Sequence, residues 1–204
     1  MKIGIISDTH DDLNNIRKSI RVFTQKQVSL IIHAGDFIFP GAVAELAKLK
    51  EKLRGIKIVG VLGNNDGEKL ILSKTFMDIS DAELKSDFDD RIIDGLRFGT
   101  YHGTSRELRE AAIRSGIYDV FIHGHTHQRR NEIVEITCKE SGRNKKTHVL
   151  NPGTAHDRFP NIEKKLEVRP TVIIYDTRTQ TCQFVDLNTR EPIKQPLKFT
   201  RHEI

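Results

Sequence analysis

Through the first sixty residues, short runs of Ile, Val and Leu alternate with stretches whose apolar positions recur every three to four residues. Residues 2–7 form an Ile-rich run that reads as a buried strand. Residues 11–25 set Leu13, Ile16, Ile20 and Phe23 on one helical face, and residues 28–33 read as a second strand. Pro40 suits a first helical turn, Val43, Leu46, Leu49 and Leu53 continue one face, and Gly55 supplies a stop. Residues 56–62 then give a third strand. This βαβαβ order predicts parallel strands joined by right-handed crossovers.

The pattern changes further along. Residues 68–76 suit a helix, whereas residues 80–90 are acidic with little apolar period. Ile92 and Ile93, the Asp94-Gly95 turn and residues 96–101 predict a hairpin. Thr104 and Glu107 have capping-box spacing and open a helix that Gly116 ends. A buried strand follows at 120–123. Strands are expected at 132–138, 148–151, 171–175 and 182–187, the first two separated by a Ser141-Gly142 turn. Residues 188–204 contain two prolines and no period, so a peripheral tail is expected there. Together these elements predict one α/β domain over residues 1–204, its strands in stacked sheets with helices outside.

Composition narrows the function classes. At 37% hydrophobic and 30% charged, the 204-residue chain can bury a globular core. No apolar run approaches the roughly 18 residues of a membrane span. Asp8 interrupts the N-terminal run too early for a signal peptide, which points to the cytoplasm. Cys138 and Cys182 lack C-x-x-C spacing and read as strand residues rather than thiolate ligands. The net charge of +5 is mild. Arg129-Arg130 and the cluster of Arg143, Lys145 and Lys146 fit either a solvated surface or steering of polyanions. With no Trp and 6% aromatics, a base-stacking platform is not visible.

Candidate chemistry falls immediately after the predicted strands. Asp8-Thr9-His10, Gly35-Asp36, Gly63-Asn64-Asn65-Asp66, His102-Gly103 and Gly124-His125-Thr126-His127 each follow one. In parallel α/β sheets, ligands gather beyond the carboxyl ends of strands, so these five loops should converge. Alternate residues of an extended loop point the same way, which makes Asp8 with His10, and His125 with His127, natural pincers. Imidazole and carboxylate without thiolate suit Mn, Fe, Zn, Ni or Co better than Mg or Ca. So many donors are more than one ion needs, and two ions about 3.5–4 Å apart can clamp both oxygens of a phosphoryl transfer. Singly, each position has an ordinary alternative: Asp8 as an acid at a helix start, Asp36, Asn64 and Asn65 as turn formers, His102 as a strand-end histidine. Their joint order is the signal. His33 and His123 read as structural, and His156 and Arg158 as possible pocket residues. Asn151-Pro152-Gly153 reads as a turn beneath the site.

In their order, these five motifs resemble those of the calcineurin-like metallophosphoesterase superfamily. With Ser7-Asp8-Thr9-His10 and Asn151-Pro152-Gly153-Thr154, the chain is similar to its small prokaryotic phosphodiesterase branch. The resemblance covers the chain from Met1 to about Asp186. It implies a four-layer αββα sandwich of two stacked mixed sheets flanked by helices. It implies two divalent cations, manganese foremost, with Asp8, His10 and His127 on the first, Asn64, His102 and His125 on the second, and Asp36 bridging. A hydroxide between the cations would attack phosphorus in line, most simply in a small phosphodiester. Many members carry His where Asn65 stands, so Asn65 is expected to contact the leaving group or phosphate without delivering a proton. Two other readings remain: a non-catalytic protein-binding scaffold of the same fold, and a nuclease, nucleic acid being the less favoured partner. A homo-oligomer stays open.

Overall fold

The computed structural model describes residues 1–137, 144–157 and 169–203. Cys138, the Ser141-Gly142 turn, Arg143 and Arg158 lie outside the described residues. The first sixty residues form β1 (Lys2–Ile6), α1 (Leu13–Lys26), β2 (Leu30–His33), α2 (Pro40–Ala47), α3 (Leu49–Lys52) and β3 (Lys57–Gly60). The single helix expected after Pro40 is therefore broken at Lys48, although Leu46, Leu49 and Leu53 still bury together. α4 (Lys69–Met77) leads to β4 (Ala82–Leu84), a short strand inside the acidic stretch that showed no period. β5 (Phe88–Ile93) and β6 (Leu96–Tyr101) are the hairpin predicted around Asp94-Gly95.

α5 (Arg106–Arg114) is capped by Ser105, whose Oγ accepts from Leu108 N at 3.2 Å, so the cap falls one residue later than expected. β7 (Val120–Ile122), β8 (Arg130–Thr137), β9 (Asn144–Asn151), β10 (Thr171–Asp176) and β11 (Thr181–Asp186) follow. The presumed tail contains β12 (Pro192–Ile193) and β13 (Lys198–Glu203). β13 lies parallel to β8 from Lys198↔Glu132 to Glu203↔Thr137. An edge strand with solvent on one side needs no clean apolar alternation, which is why the period was silent there.

The strands make two mixed sheets, β12-β11-β10-β1-β2-β3-β4 and β13-β8-β9-β7-β6-β5. Period-2 alternation sorts their side chains into three cores. Ile3, Ile5, Leu30, Ile32 and Val59 of the first sheet meet Phe98, Val120, Ile122 and Leu150 of the second. Ile6, Ile31 and Ile58 face outward onto Ile16, Ile20 and Phe23 of α1 and Val43 and Leu46 of α2. Phe121, Val134 and Val149 face the other way, onto Ile113 of α5. Each sheet is thus covered on both faces, giving the four layers expected. β1, β2 and β3 run parallel in one sheet, and β6, β7 and β9 in the other, so their carboxyl ends form two facing rims. Among the described residues, no helix is long and apolar enough to cross a membrane.

His148 sits between the sheets, edge-on to Tyr175, with Nε2 2.8 Å from Asn131 Oδ1. Burial drives its pKa from the ordinary 6.5 down to about 4. A base whose folded pKa is depressed stabilises the fold above the unfolded value and loses that contribution as pH falls toward the folded one. Between pH 7.5 and 5, His148 should account for about 2 kcal/mol of lost stability. Urea unfolding of wild type and His148→Gln at both pH values should therefore show a smaller acid loss in the variant; equal losses would contradict the assignment.

Candidate metal centre

Six loops from the two rims interlock through contacts to their backbone. Asp8 N donates to Gly35 O at 3.0 Å, and Thr9 and His10 N donate to Asp36 O, which joins the β1 and β2 loops. Gly124 N donates to His102 O at 2.9 Å, joining the β7 and β6 loops. Ala155 N donates to Ser7 O at 3.1 Å and ties the β9 loop of one sheet to the β1 loop of the other. Asp66 closes the set: its carboxylate accepts from the backbone N–H of Gly63 at 2.7 Å, Ile38 at 2.8 Å and Asp36 at 3.0 Å.

Three glycines make this approach sterically possible. A Cβ at Gly63 would lie 2.2 Å from Asp36 Oδ1, and one at Gly124 would lie 1.9 Å from Ser7 Oγ and 2.6 Å from Asp8 Oδ2. At Gly35 it would meet His102 Nδ1 at 2.6 Å. No side chain could stand at these positions without moving the donors.

All seven sequence-predicted residues meet on this edge. His10 Nε2 is 3.5 Å from Asp36 Oδ2 and 3.9 Å from Asp8 Oδ1, and His127 Nε2 is 3.1 Å from Asp8 Oδ1. His102 Nε2 faces Asn64 Oδ1 at 3.1 Å and Asp36 Oδ2 at 3.3 Å. The His125 ring stands edge-on to His102 with centroids 5.3 Å apart. The pincers, however, are not extended. Asp8, His10, Asp36, His125 and His127 all have positive φ, between 43° and 64°. Asp and His tolerate the left-handed region better than most residues, yet it still costs roughly 1–2 kcal/mol for each.

The electrostatics are those of a buried cluster. Asp8 and His102 are fully buried and Asp36 is 1% exposed. Burial alone would push the Asp36 carboxyl up, but the His102 hydrogen bond and charge and two donors from Asn65 hold it well below the usual carboxylate range. Burial pulls His102 down, and its hydrogen bond to Asp36 with the charges of Asp8 and Asp36 reverses this to a net rise. Burial lowers His10 and His125 despite the same two carboxylates. His102 Nδ1 donates to Ala34 O at 2.7 Å, which orients the ring with Nε2 toward the cluster. Ser7 Oγ and His125 N both donate to Asp8 Oδ2, at 2.5 and 3.2 Å, and turn Oδ1 inward.

Asn65 differs from expectation. Its backbone N–H and side-chain amide both donate to Asp36, at 2.9 and 2.8 Å. The amide expected at a leaving group is thus engaged in holding the central carboxylate. His33 is structural, as its sequence position suggested: it stacks on Phe37, its Nδ1 accepts from Gly35 N at 3.2 Å, and burial takes its pKa to about 3. His123 is likewise buried beside the site, with its pKa pulled to about 3.

Sequence reasoning gave no role to Asp66, read Asn151 only as part of a turn beneath the site, and placed His156 only in a substrate pocket. Asn151 Nδ2 donates to Gly124 O at 2.9 Å and Thr126 Oγ1 at 3.0 Å, gripping the loop that carries His125 and His127. His156 is buried with its ring 4.4 Å from His10 and 5.1 Å from His127, and its ring nitrogens come within metal-sharing reach of both. The available signal was topological. β9 is parallel to β7, so the loop beyond Asn151 had to reach the same edge.

Comparisons with known proteins identify the family and the fold. Residues 1–180 match the family model described as the calcineurin-like phosphoesterase superfamily domain. The chain is 39% identical over 177 residues to a phosphodiesterase of Methanocaldococcus jannaschii, covering 87% of this chain and 93% of that protein. A solved structure described as a novel archaeal phosphodiesterase superposes with a TM-score of 0.73 at 37% identity, covering 91% of this chain and 99% of that one. The phosphoesterase Yfce of Escherichia coli shares the fold, with a TM-score of 0.61 at 18% identity over 96% of this chain and 98% of that one. The chain belongs to the calcineurin-like phosphoesterase superfamily, a family of phosphoric ester hydrolases.

Proposed function

We propose that the chain is a metal-dependent phosphodiesterase whose interlocked loops hold two divalent cations. The observation that carries this reading is a pair of buried, unsatisfied atoms at the centre of the cluster: Asp8 Oδ1 and His10 Nε2 have no hydrogen-bond partner among the described residues. Buried polar atoms are rarely left so, and a cation supplies what both lack. The donor set fits, being oxygen and imidazole nitrogen without thiolate, as borderline metals such as manganese, iron, cobalt, nickel or zinc prefer. Asp8, His10 and His127 would hold one ion and Asn64, His102 and His125 the other, with Asp36 between them. His156 lies close enough to His10 and His127 to add a donor to the first ion. A diester is favoured as substrate by the archaeal relative, which is named a phosphodiesterase.

Cations held by these residues would supply Lewis acidity to a water and to the phosphoryl oxygens. The chain's own residues do the rest. Asn65 fixes the rotamer of Asp36 through two hydrogen bonds, so the central carboxylate is positioned before substrate arrives. Burial keeps His10, His125 and His156 deprotonated, the last with a pKa of about 4, and so available as nitrogen donors at neutral pH. The hydrogen bond from His102 Nδ1 to Ala34 O orients that ring, and the one from Asn151 Nδ2 to Gly124 O orients the His125 loop. A scaffold role is disfavoured, because all seven positions carry residues able to donate to a metal, and the donor atoms of Asp8, His10 and Asp36 lie within 4.8 Å of one another.

Hydrolysis of a chromogenic diester should vanish with a chelator and return with manganese. Asp36→Asn should lower kcat by more than the roughly 10–100-fold typical of outer positions around a metal. Full activity in that variant, or in chelator, would refute the metal mechanism. His156→Ala should weaken metal retention, read as bound metal per chain after dialysis, by roughly 10-fold or more; unchanged occupancy removes it from the donor set. Across diesters of graded leaving-group pKa, Asn65→His should flatten the dependence of rate on that pKa, since imidazolium can deliver a proton and an amide cannot. A parallel line for variant and wild type would show that position 65 does not reach the leaving group.

A further inference from the structure

Beside the metal-binding loops lies a second cavity of about 260 Å³ that the mechanism does not use. Four cationic side chains line it, Arg109, Arg129, Arg130 and Lys198, against one carboxylate, Glu132. Both Glu132 oxygens are already engaged, Oε2 by Arg130 Nε at 2.6 Å and Oε1 by Thr200 Oγ1 at 2.7 Å. Glu110 pairs with Arg109 at 3.1 Å and approaches Arg130 at 3.7 Å, which still leaves an excess of positive charge around the cavity. A fixed cluster of cations in a concavity is unfavourable unless an anion shares it.

A second observation lies on the same wall. His123 lines the cavity, is 2% exposed, and has Nε2 without a hydrogen-bond partner among the described residues. Its Nδ1 lies 3.1 Å from Gly124 O, and a carbonyl only accepts, so the ring proton sits on Nδ1. Nε2 is then a buried acceptor, which the hydroxyl of a hydrogen phosphate can satisfy.

We propose that this cavity is an anion site, distinct from the metal centre, that takes a phosphoryl group or a similar small oxyanion. Arginine forks offer paired N–H donors matched to such a group, and Lys198 adds a point charge. The volume lies just below the roughly 300–1,000 Å³ of pockets for drug-sized ligands, which favours a compact anion. Lys198 and Gln195 on its wall come from the segment after residue 180, beyond the part of the chain that matches the family model. The cavity lining includes Thr126 and Gln128, which alternate with His125 and His127, so an occupant bears directly on the loop that carries two candidate ligands.

Titrating inorganic phosphate into chelator-treated protein, followed by calorimetry, tests the site without a contribution from bound metal. Saturable binding is expected, weakened at least 10-fold by the combined Arg129→Gln and Lys198→Gln changes and unaltered by Asp36→Asn. Circular dichroism of each variant verifies that it folds, and Arg109→Gln offers a second route if the double variant does not. Absence of saturable binding, or binding abolished by Asp36→Asn and indifferent to the cation changes, would overturn the proposal. A short single-stranded oligonucleotide forms a separate arm: competition by phosphate with no tighter binding of the oligonucleotide supports a small-anion site. Oligonucleotide binding much tighter than phosphate would replace that reading with a nucleic-acid contact.

Discussion

The edge where the Asp and His side chains gather depends on backbone coming closer to carboxylate than any side chain permits. Gly63 lies against Asp36, and Gly124 against Ser7 and Asp8, at distances where a methyl group would overlap the oxygen. These contacts let two sheets that pack through Ile, Val and Phe side chains also meet at their rims through polar atoms. The apolar core between the sheets provides the driving force for that meeting. The glycines decide how near the final approach can be.

Around this constraint, each carboxylate is held by donors that leave one side open. Asp8 has its Oδ2 fixed by Ser7 and His125, and Asp36 is held from one direction by both donors of Asn65. Asp66 serves a different purpose, since its three backbone partners bind the β2 loop to the β3 loop. Burial raises its pKa, and the same three donors oppose the rise. The five left-handed Asp and His residues show that this alignment is strained locally and maintained by everything packed beneath it.

Much of this was legible in the sequence because its signals were local. Ile-rich runs marked β1, β2 and β3, Asp94-Gly95 marked a hairpin, and polar residues after each strand marked the edge where ligands collect. What escaped depended on contacts distant in sequence. β13 is a strand because β8 offers it an open edge, and its own residues carry no alternation. The partnership of Asn65 with Asp36 spans twenty-nine positions, so a motif could reveal the residue but not the direction of its amide. His156 was isolated in the chain and is grouped with His10 and His127 only through the parallel pairing of β9 with β7. The capping residue moved from Thr104 to Ser105, a choice between two adjacent hydroxyls that spacing alone does not resolve.

The placement of β13 carries a consequence for solubility. Without it, β8 would present a row of unpaired amides and carbonyls eight residues long at the margin of the second sheet. Such a margin is a template on which another chain can add a strand. β13 pairs with six of those residues and leaves Lys198 and Arg201 exposed, so the new margin carries charge, with Phe199 its largest exposed apolar side chain. The last stretch of the molecule therefore works as a shield against self-association as well as a wall of the basic cavity.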